Sequence, residues 1–402
     1  MPDIFIGRQP IFNENLDIYA YELLFRGQSD QNDAKFIDGD AATSQVILNT
    51  FADIGLSNLV DDHLAFINLT RYFLEEPQRI VIPPGQVVLE ILEDIEPDPA
   101  ILSSIEALKN QGYTIALDDY IHNDKLQPLV DLADIIKIDI TVLDMQEIRQ
   151  HALQFREQGI RLLAEKVETY EEFDALQEIG FDYFQGYFFS RPTVVRGKGL
   201  QGNQVSILRL LAMVNNPGLD VSELSKIIST DVSLSHKILK FINSPISGLR
   251  AKVDSIQRAV VMLGLNTIKN WISLVALASA SEKPEALSIL ALARARTCEQ
   301  LAAAAGLSAL DSFFTAGLFS ALDAMMDQPI DELLEELPLD EELKSALSQR
   351  EGVYGEALNC VIAMESNQLS KIKFQNIEFA RLSEIYLKAL LWADHQAAAI
   401  TA

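Results

Sequence analysis

The chain has 402 residues, 49% of them hydrophobic, and its 58 acidic against 32 basic side chains give a formal charge of −26. That length supports two domains with their own cores, and that hydrophobic content excludes a disordered chain. The acidity excludes sequence-independent binding to nucleic acid or to anionic membranes, although metal ions can invert the field locally around a small phosphodiester.

In the first half, short apolar runs each lead to a polar residue. Val87-Val88-Leu89 leads to Glu90, and Ile115-Ala116-Leu117 to Asp118 and Asp119. Ile135-Ile136 leads to Lys137 and Asp139, and Leu162-Leu163-Ala164 to Glu165, with Glu168 three residues later. Such runs read as buried strands. Their spacing leaves room for a strand, a helix and two short loops, which favours parallel pairing. Helical stretches are predicted over Ile101–Gln111, Met145–Gln158 and Glu171–Ile179, stopped by Gly112, Gly159 and Gly180. A glycine just past a helix takes the left-handed conformation that turns the chain into the next strand. Thr169 and Glu172 have the spacing of a capping box. Repeated strand–helix units give a parallel sheet, and periodicity alone leaves it closed or open.

The pattern changes near residues 193–204, where three glycines mark a linker. Residues 1–195 hold 35 acidic and 13 basic side chains, net −22, which leaves −4 for the remainder. The boundaries expected are 1–195 for the first domain, 196–204 for the linker and 205–402 for the second. Beyond the linker the signal is helical throughout. Residues 205–215 form a helix, Asp220 and Asp231 start two more, and 255–280 is a long helix broken at Gly264. Residues 285–305 and 315–326 are rich in Ala, Leu and Met. Cys298 and Cys360 have no metal spacing and point to a reduced, intracellular protein. The start Met-Pro-Asp-Ile-Phe lacks the basic stretch of a signal peptide, and the apolar segment Trp271–Ala280 is too short to span a bilayer. A soluble, cytoplasmic protein is expected.

Carboxylates at the ends of successive parallel strands converge on one rim, where a β/α barrel places its chemistry. The candidate donors are Glu22, Asn68, Glu90, Asp118 and Asp119, with Glu165 as a further oxygen. Carboxylates and one carboxamide, without His or Cys, suit hard cations such as magnesium or manganese. Two such ions can support in-line displacement at phosphorus. Adjacent Asp118 and Asp119 repel unless cations compensate. Lys137 can orient water or neutralise charge, by pairing with Asp139 or with a rim carboxylate, and Arg26 can fork onto a phosphate.

These residues sit in a series of motifs: Tyr-Glu-Leu-Leu-Phe-Arg (21–26), Phe-Ile-Asn-Leu-Thr (66–70), Leu-Glu-Ile-Leu-Glu (89–93), Ala-Leu-Asp-Asp-Tyr (116–120), Lys-Ile-Asp (137–139), Ala-Glu-Lys-Val-Glu-Thr (164–169) and Phe-Gln-Gly-Tyr-Phe-Phe-Ser-Arg-Pro (184–192). In this order they resemble the EAL domain. The resemblance implies a modified β/α (TIM-like) barrel that hydrolyses the bacterial second messenger cyclic di-GMP to its linear dinucleotide with magnesium or manganese. It makes Glu22, Asn68, Glu90 and Asp118 metal ligands and puts Asp119 at the second metal position. Lys137 matches the lysine near the attacking water, and Glu165 a catalytic or metal-binding glutamate. Glu168 and Gln185 match residues supporting the site, Gln185 within reach of the ligand. Glu93 matches a glutamate that holds the loop after the Asp-Asp strand, and Arg26 the arginine facing the ligand phosphate. A homodimer is also implied.

The sequence departs from the family pattern in two single residues and one loop. The name motif reads Glu-Leu-Leu, which places a larger side chain, Leu23, beside the metal position. Lys166 replaces the glycine of Ala-Glu-Gly-Val-Glu. The loop Asp-Asp-Phe-Gly-Thr-Gly, which orders the metals and couples the site to dimerisation, reads Asp118-Asp119-Tyr120-Ile121-His122-Asn123, without either glycine.

Residues 210–215, 227–244, 256–264 and 316–323 resemble the HDOD domain, a helical relative of HD-type metal phosphohydrolases. Those enzymes need a His…His-Asp…Asp metal set. Residues 200–402 contain only His236 and His395, neither followed by aspartate, which is too few imidazoles for that site. The helical half therefore reads as non-catalytic, with a protein partner and a regulatory or localising role. Two readings of the barrel stay open. It is a cyclic di-GMP phosphodiesterase, or a degenerate EAL domain that acts as a cyclic di-GMP receptor or protein-interaction module.

Overall fold

A computed structural model of the chain describes residues 4–27, 55–80, 82–92, 95–120, 124–192, 202–216, 218–229, 232–243, 253–280 and 283–401. The chain divides into two compact units, Met1–Phe188 and Phe189–Ala402. In the first, eight strands close into a barrel: β1 (Ile4–Asn13), β2 (Ile18–Gly27), β3 (Leu64–Leu69), β4 (Val87–Ile91), β5 (Thr114–Leu117), β6 (Ile135–Asp139), β7 (Arg161–Glu165) and β8 (Tyr183–Gln185).

Strands β2 to β8 are parallel, as the spacing predicts. Strand β1 differs, running antiparallel to both β2 and β8. The reason is local. Only four residues separate β1 from β2, too few for a crossover, so the chain must fold back as a hairpin. The Asn13 side-chain oxygen accepts from the backbone N–H groups of Asn15 and Asp17, and Leu16 takes a left-handed φ of 64°. These contacts close the turn.

The predicted helices form as Pro99–Asn110, Met145–Glu157 and Tyr170–Ile179. Gly112, Gly159 and Gly180 follow them at φ 93°, 77° and 102°, the conformation for which glycine is needed. Thr169 and Glu172 make the reciprocal capping box, each side chain accepting from the other's backbone N–H at 3.1 Å. The barrel interior holds one apolar layer, made by Ile11, Ala20, Phe66, Val88, Ala116, Ile135, Leu163 and Tyr183. Burying each larger member contributes about 1.5–3 kcal/mol, so this layer fixes the strand register from which the site is built.

No strand occurs among the described residues of the second unit. Its first helix, Gly202–Val214, begins inside the stretch expected to be linker, so 202–204 are helical. Asp220 caps the next helix by accepting from the Glu223 N–H at 2.9 Å. The cap expected at Asp231 lies outside the described residues. The long helix does break at Gly264, φ 89°, into Ile256–Leu263 and Leu265–Ala280. His236 is exposed on the helix Val232–Ile242. The helices Glu285–Ala304 and Leu310–Phe319 approach so closely that a Cβ at Gly317 would lie 2.4 Å from the Ala295 Cα.

One ion pair is locked into this helical core. Arg294 and Glu365 are both buried and join through two parallel hydrogen bonds of 2.8 Å, while a further Arg294 nitrogen reaches Ser320. Arg294→Met should cost the helical unit about 3–5 kcal/mol, because the buried Glu365 loses its bidentate guanidinium partner. The double variant with Glu365→Leu should recover most of that loss. Urea unfolding of the two variants measures both effects. Equal stability of wild type and Arg294→Met would mean that Glu365 finds water or another partner.

Candidate active site

Side chains alternate along a strand, so the residue two positions from each member of the apolar layer faces the same interior. Those positions are Glu22, Asn68, Glu90, Asp118, Lys137, Glu165 and Gln185 on β2 to β8 or just past their ends, and Gln9 on the reversed β1. The barrel thus carries one apolar layer and, above it at the carboxyl ends of the parallel strands, one complete polar layer. Gln9 is the member that sequence reasoning missed. Its signal was the step of two from Ile11, which must be counted backwards because β1 runs the other way.

Lys137 sits at the centre. Its Nζ lies 2.6 Å from Glu90 Oε1, 2.6 Å from Asp118 Oδ1, 3.0 Å from Glu165 Oε1 and 3.6 Å from Glu22 Oε1. The side chains of Lys137 and Glu90 are 1% and 0% exposed. Gln185 donates from Nε2 to Glu22 Oε2 at 2.5 Å and to Gln9 Oε1 at 3.0 Å, which orients Glu22. Asn68 Nδ2 points to Glu22 Oε1 at 3.5 Å. Of the alternatives for Lys137, the structure selects the rim carboxylates. Asp139 pairs with Lys166 instead, and Asn68 lies within a strand rather than in a turn.

Four carboxylates around one ammonium leave a buried excess of negative charge. Burial therefore raises Glu90 well above the usual carboxylate range, against the pull of Lys137. Burial likewise pushes Glu165 up to about 8. For Lys137 burial works the other way, but the four carboxylates outweigh it and hold its pKa well above the ordinary value. Burial and then Asp118 raise Asp119, which has a left-handed φ of 42°.

A stability effect follows with a definite sign. Glu90 and Glu165 bind protons more tightly folded than unfolded, so their contribution is complete below about pH 4.5 and is lost as pH rises through about 8 for Glu165. Each unit of retained shift is worth about 1.4 kcal/mol. The chelated protein should melt at progressively lower temperature from pH 5 to pH 8, and the stabilisation by added manganese should grow over the same window. Calorimetry at four pH values checks this, and a pH-independent manganese shift would contradict it.

Fit to a hard cation rests on unsatisfied oxygens. Glu90 Oε2, Glu165 Oε2 and Asn68 Oδ1 are buried with no hydrogen-bond donor, and Glu90 Oε1 and Asp118 Oδ1 face the Lys137 ammonium. Such groups are costly unless a cation or proton takes them up, and their chemistry fits magnesium or manganese. Among the described residues, no three of the His, Cys, Asp and Glu side chains already surround a common point as a bound ion requires. The carboxylates surround the Lys137 ammonium.

The remaining candidates divide. Glu168 is exposed on the turn after β7, its backbone N–H donating to Glu172. Arg26 pairs with Phe5 in the β1–β2 ladder, and its side chain is outside the described parts, as are Glu93 and residues 121–123. Leu23 is buried and alternates with Glu22, so it faces away from the barrel interior. The larger residue of the name motif therefore packs on the outer side of β2, not beside the metal position.

The EAL domain model matches residues 8–192 and the HDOD domain model residues 203–337. The uncharacterized protein YuxH of Bacillus subtilis is 36% identical over 404 residues, covering 98% of each chain. The chain belongs to the EAL-HDOD family. Cyclic di-GMP phosphodiesterase CdgJ of Vibrio cholerae is 33% identical over 359 residues, 88% of this chain and 83% of that one. A c-di-GMP-bound crystal structure of a standalone EAL protein from Vibrio cholerae O395 is 25% identical and covers 46% of this chain and 90% of that one, with a TM-score of 0.38.

Within this EAL-HDOD chain the Phe-Gln-Gly-Tyr motif has a structural reason. Gly186 follows Gln185 at φ 155°, and a Cβ there would fall 1.9 Å from the Val167 carbonyl oxygen. Only glycine lets the turn after β8 pass the turn after β7, where Val167 N–H donates to Gln185 O. No helix among the described residues of this EAL-HDOD protein is long and apolar enough to cross a membrane.

Proposed function

We propose that the barrel binds cyclic di-GMP and hydrolyses it to the linear dinucleotide, and that the helical half is a non-catalytic regulator that engages a protein partner. The observation that carries this reading is the complete polar layer, with its buried carboxylates in excess over Lys137 and its donor-free oxygens on Glu90, Glu165 and Asn68. The likeness to a relative named as a cyclic di-GMP phosphodiesterase supports the substrate.

Glu22, Asn68, Glu90, Asp118 and Asp119 are the residues to hold magnesium or manganese, which would supply Lewis-acid stabilisation of charge on the phosphodiester. Glu165 accepts a proton from the attacking water as the water oxygen bonds to phosphorus. The P–O bond to the sugar oxygen breaks, and that oxygen takes the proton. Lys137 neutralises the layer and positions the water, Gln185 fixes Glu22, and Arg26 contacts a ligand phosphate. The formal charge of −26 disfavours polymeric nucleic acid and leaves a small diester as the substrate class.

A second reading, cyclic di-GMP reception without hydrolysis, is favoured by two observations. The carboxylates already close on Lys137, and a lysine stands where the family pattern has glycine. The two readings part at the metal. Glu90→Gln should abolish stabilisation by manganese against heat, since an ion that binds only the folded state raises its melting temperature. An unchanged manganese-dependent shift would remove Glu90 from the ligand set and favour the receptor.

A further inference from the structure

Lys166 has no role in the mechanism above, yet it occupies a conspicuous position. Its backbone is left-handed, φ 60°, a conformation that costs a non-glycine residue roughly 1–2 kcal/mol. The family pattern avoids that cost with glycine. Here the side chain extends to Asp139 and makes an ion pair. The Lys166 side chain is 58% exposed and the Asp139 side chain 6%, so the carboxylate is the buried partner and the ammonium closes over it.

Asp139 lies two residues beyond Lys137 on β6, hence on the same inward face and one step nearer the mouth. Both of its oxygens are taken. Oδ1 accepts from the Thr141 backbone N–H at 2.8 Å and from Thr141 Oγ1 at 2.6 Å, and Oδ2 is held by Lys166. Asp119, whose family counterpart stands at the second metal position, lies in the field of Lys166 as well as of Asp118 and Asp139. The other side of the layer is the opposite case. There Glu90 Oε2 and Asn68 Oδ1 are buried without a hydrogen-bond donor, and Glu90 Oε1 and Asp118 Oδ1 face the Lys137 ammonium. Oxygens without a donor therefore lie on Glu90 and Asn68 and, on β7, at Glu165 Oε2, whereas Asp139 has both oxygens taken, one of them by Lys166.

We propose that the Lys166 ammonium stands in for the second metal ion, so that this barrel binds one divalent cation, at Glu22, Asn68, Glu90 and Asp118. A fixed positive charge within a few ångströms weakens a divalent ion on the order of 100-fold or more at protein-like screening. The inference rests on the metal-dependent reading of the barrel and adds its stoichiometry.

The test counts manganese on the full chain by equilibrium dialysis and by the loss of the free-ion electron paramagnetic resonance signal. Wild type, Lys166→Gly and Lys166→Gln are compared. Lys166→Gly removes the strained left-handed side chain and Lys166→Gln keeps it without charge, so one variant controls for the fold of the other. One manganese per wild-type chain, with a second in both variants at least 100-fold tighter than any second ion on wild type, is the expected result. Two ions of unchanged affinity in all three proteins would overturn the proposal while leaving the metal-dependent reading intact. A second ion in Lys166→Gly alone would also overturn it, since the backbone and not the charge would then control the site. No manganese on any of the three would overturn the metal-dependent reading itself.

Discussion

Lys137→Met is expected to destabilise the metal-free barrel by about 3–5 kcal/mol, because it leaves four carboxylates facing one another without their cation. Glu90, Asp118 and Glu165 lie within 3.0 Å of the ammonium and Glu22 at 3.6 Å. For a unit of this size the loss corresponds to a fall in melting temperature of roughly 10 °C. The defect has a sign with pH. Without Lys137 the carboxylates bind protons still more tightly in the folded state, so the variant should regain stability toward pH 5 and lose more of it toward pH 8. Saturating manganese should rescue part of the loss at pH 8, where the carboxylates are free to take it. Calorimetry of both proteins with chelator and with manganese measures all of this. A variant as stable as wild type at pH 8 in chelator would show that the layer does not depend on the lysine.

Glu165→Gln should lower the turnover of cyclic di-GMP by about 10²–10⁴-fold while leaving manganese binding within a few-fold of wild type. Glu165 is buried at the end of β7 and its pKa is pushed up to about 8, near the range in which a carboxylate both accepts and returns a proton at neutral pH. The amide is isosteric and can do neither. If manganese affinity falls together with turnover, Glu165 belongs with the metal ligands and proton transfer must be assigned elsewhere.

Much of this site was legible in the sequence because barrel strands are short and their polar ends are regular. Glu22, Asn68, Glu90, Asp118, Lys137, Glu165 and Gln185 fall in one layer for the same reason that each follows an apolar residue by two. Gly112, Gly159 and Gly180 marked helix ends correctly because a left-handed turn is a local requirement. What escaped was set by direction and by tertiary contact. Strand β1 reverses because its connection is short, and Gln9 becomes visible only once that reversal is known. Leu23 was expected beside the metal position, but alternation turns it outward. The pairing of Asp139 with Lys166 joins residues 27 apart at the ends of the neighbouring strands β6 and β7, and no local pattern encodes which of two lysines an aspartate will choose.

The most direct measurement is product analysis by the purified full chain incubated with cyclic di-GMP and manganese, beside a Glu22→Ala control. Glu22 accepts from Gln185 and faces Lys137 within the polar layer, so its removal takes out a proposed metal ligand without touching the apolar layer beneath. Linear dinucleotide from wild type and none from Glu22→Ala is the predicted result. Binding of cyclic di-GMP with no linear product from wild type, or equal product from both proteins, would contradict the assignment of this layer as a phosphodiesterase site.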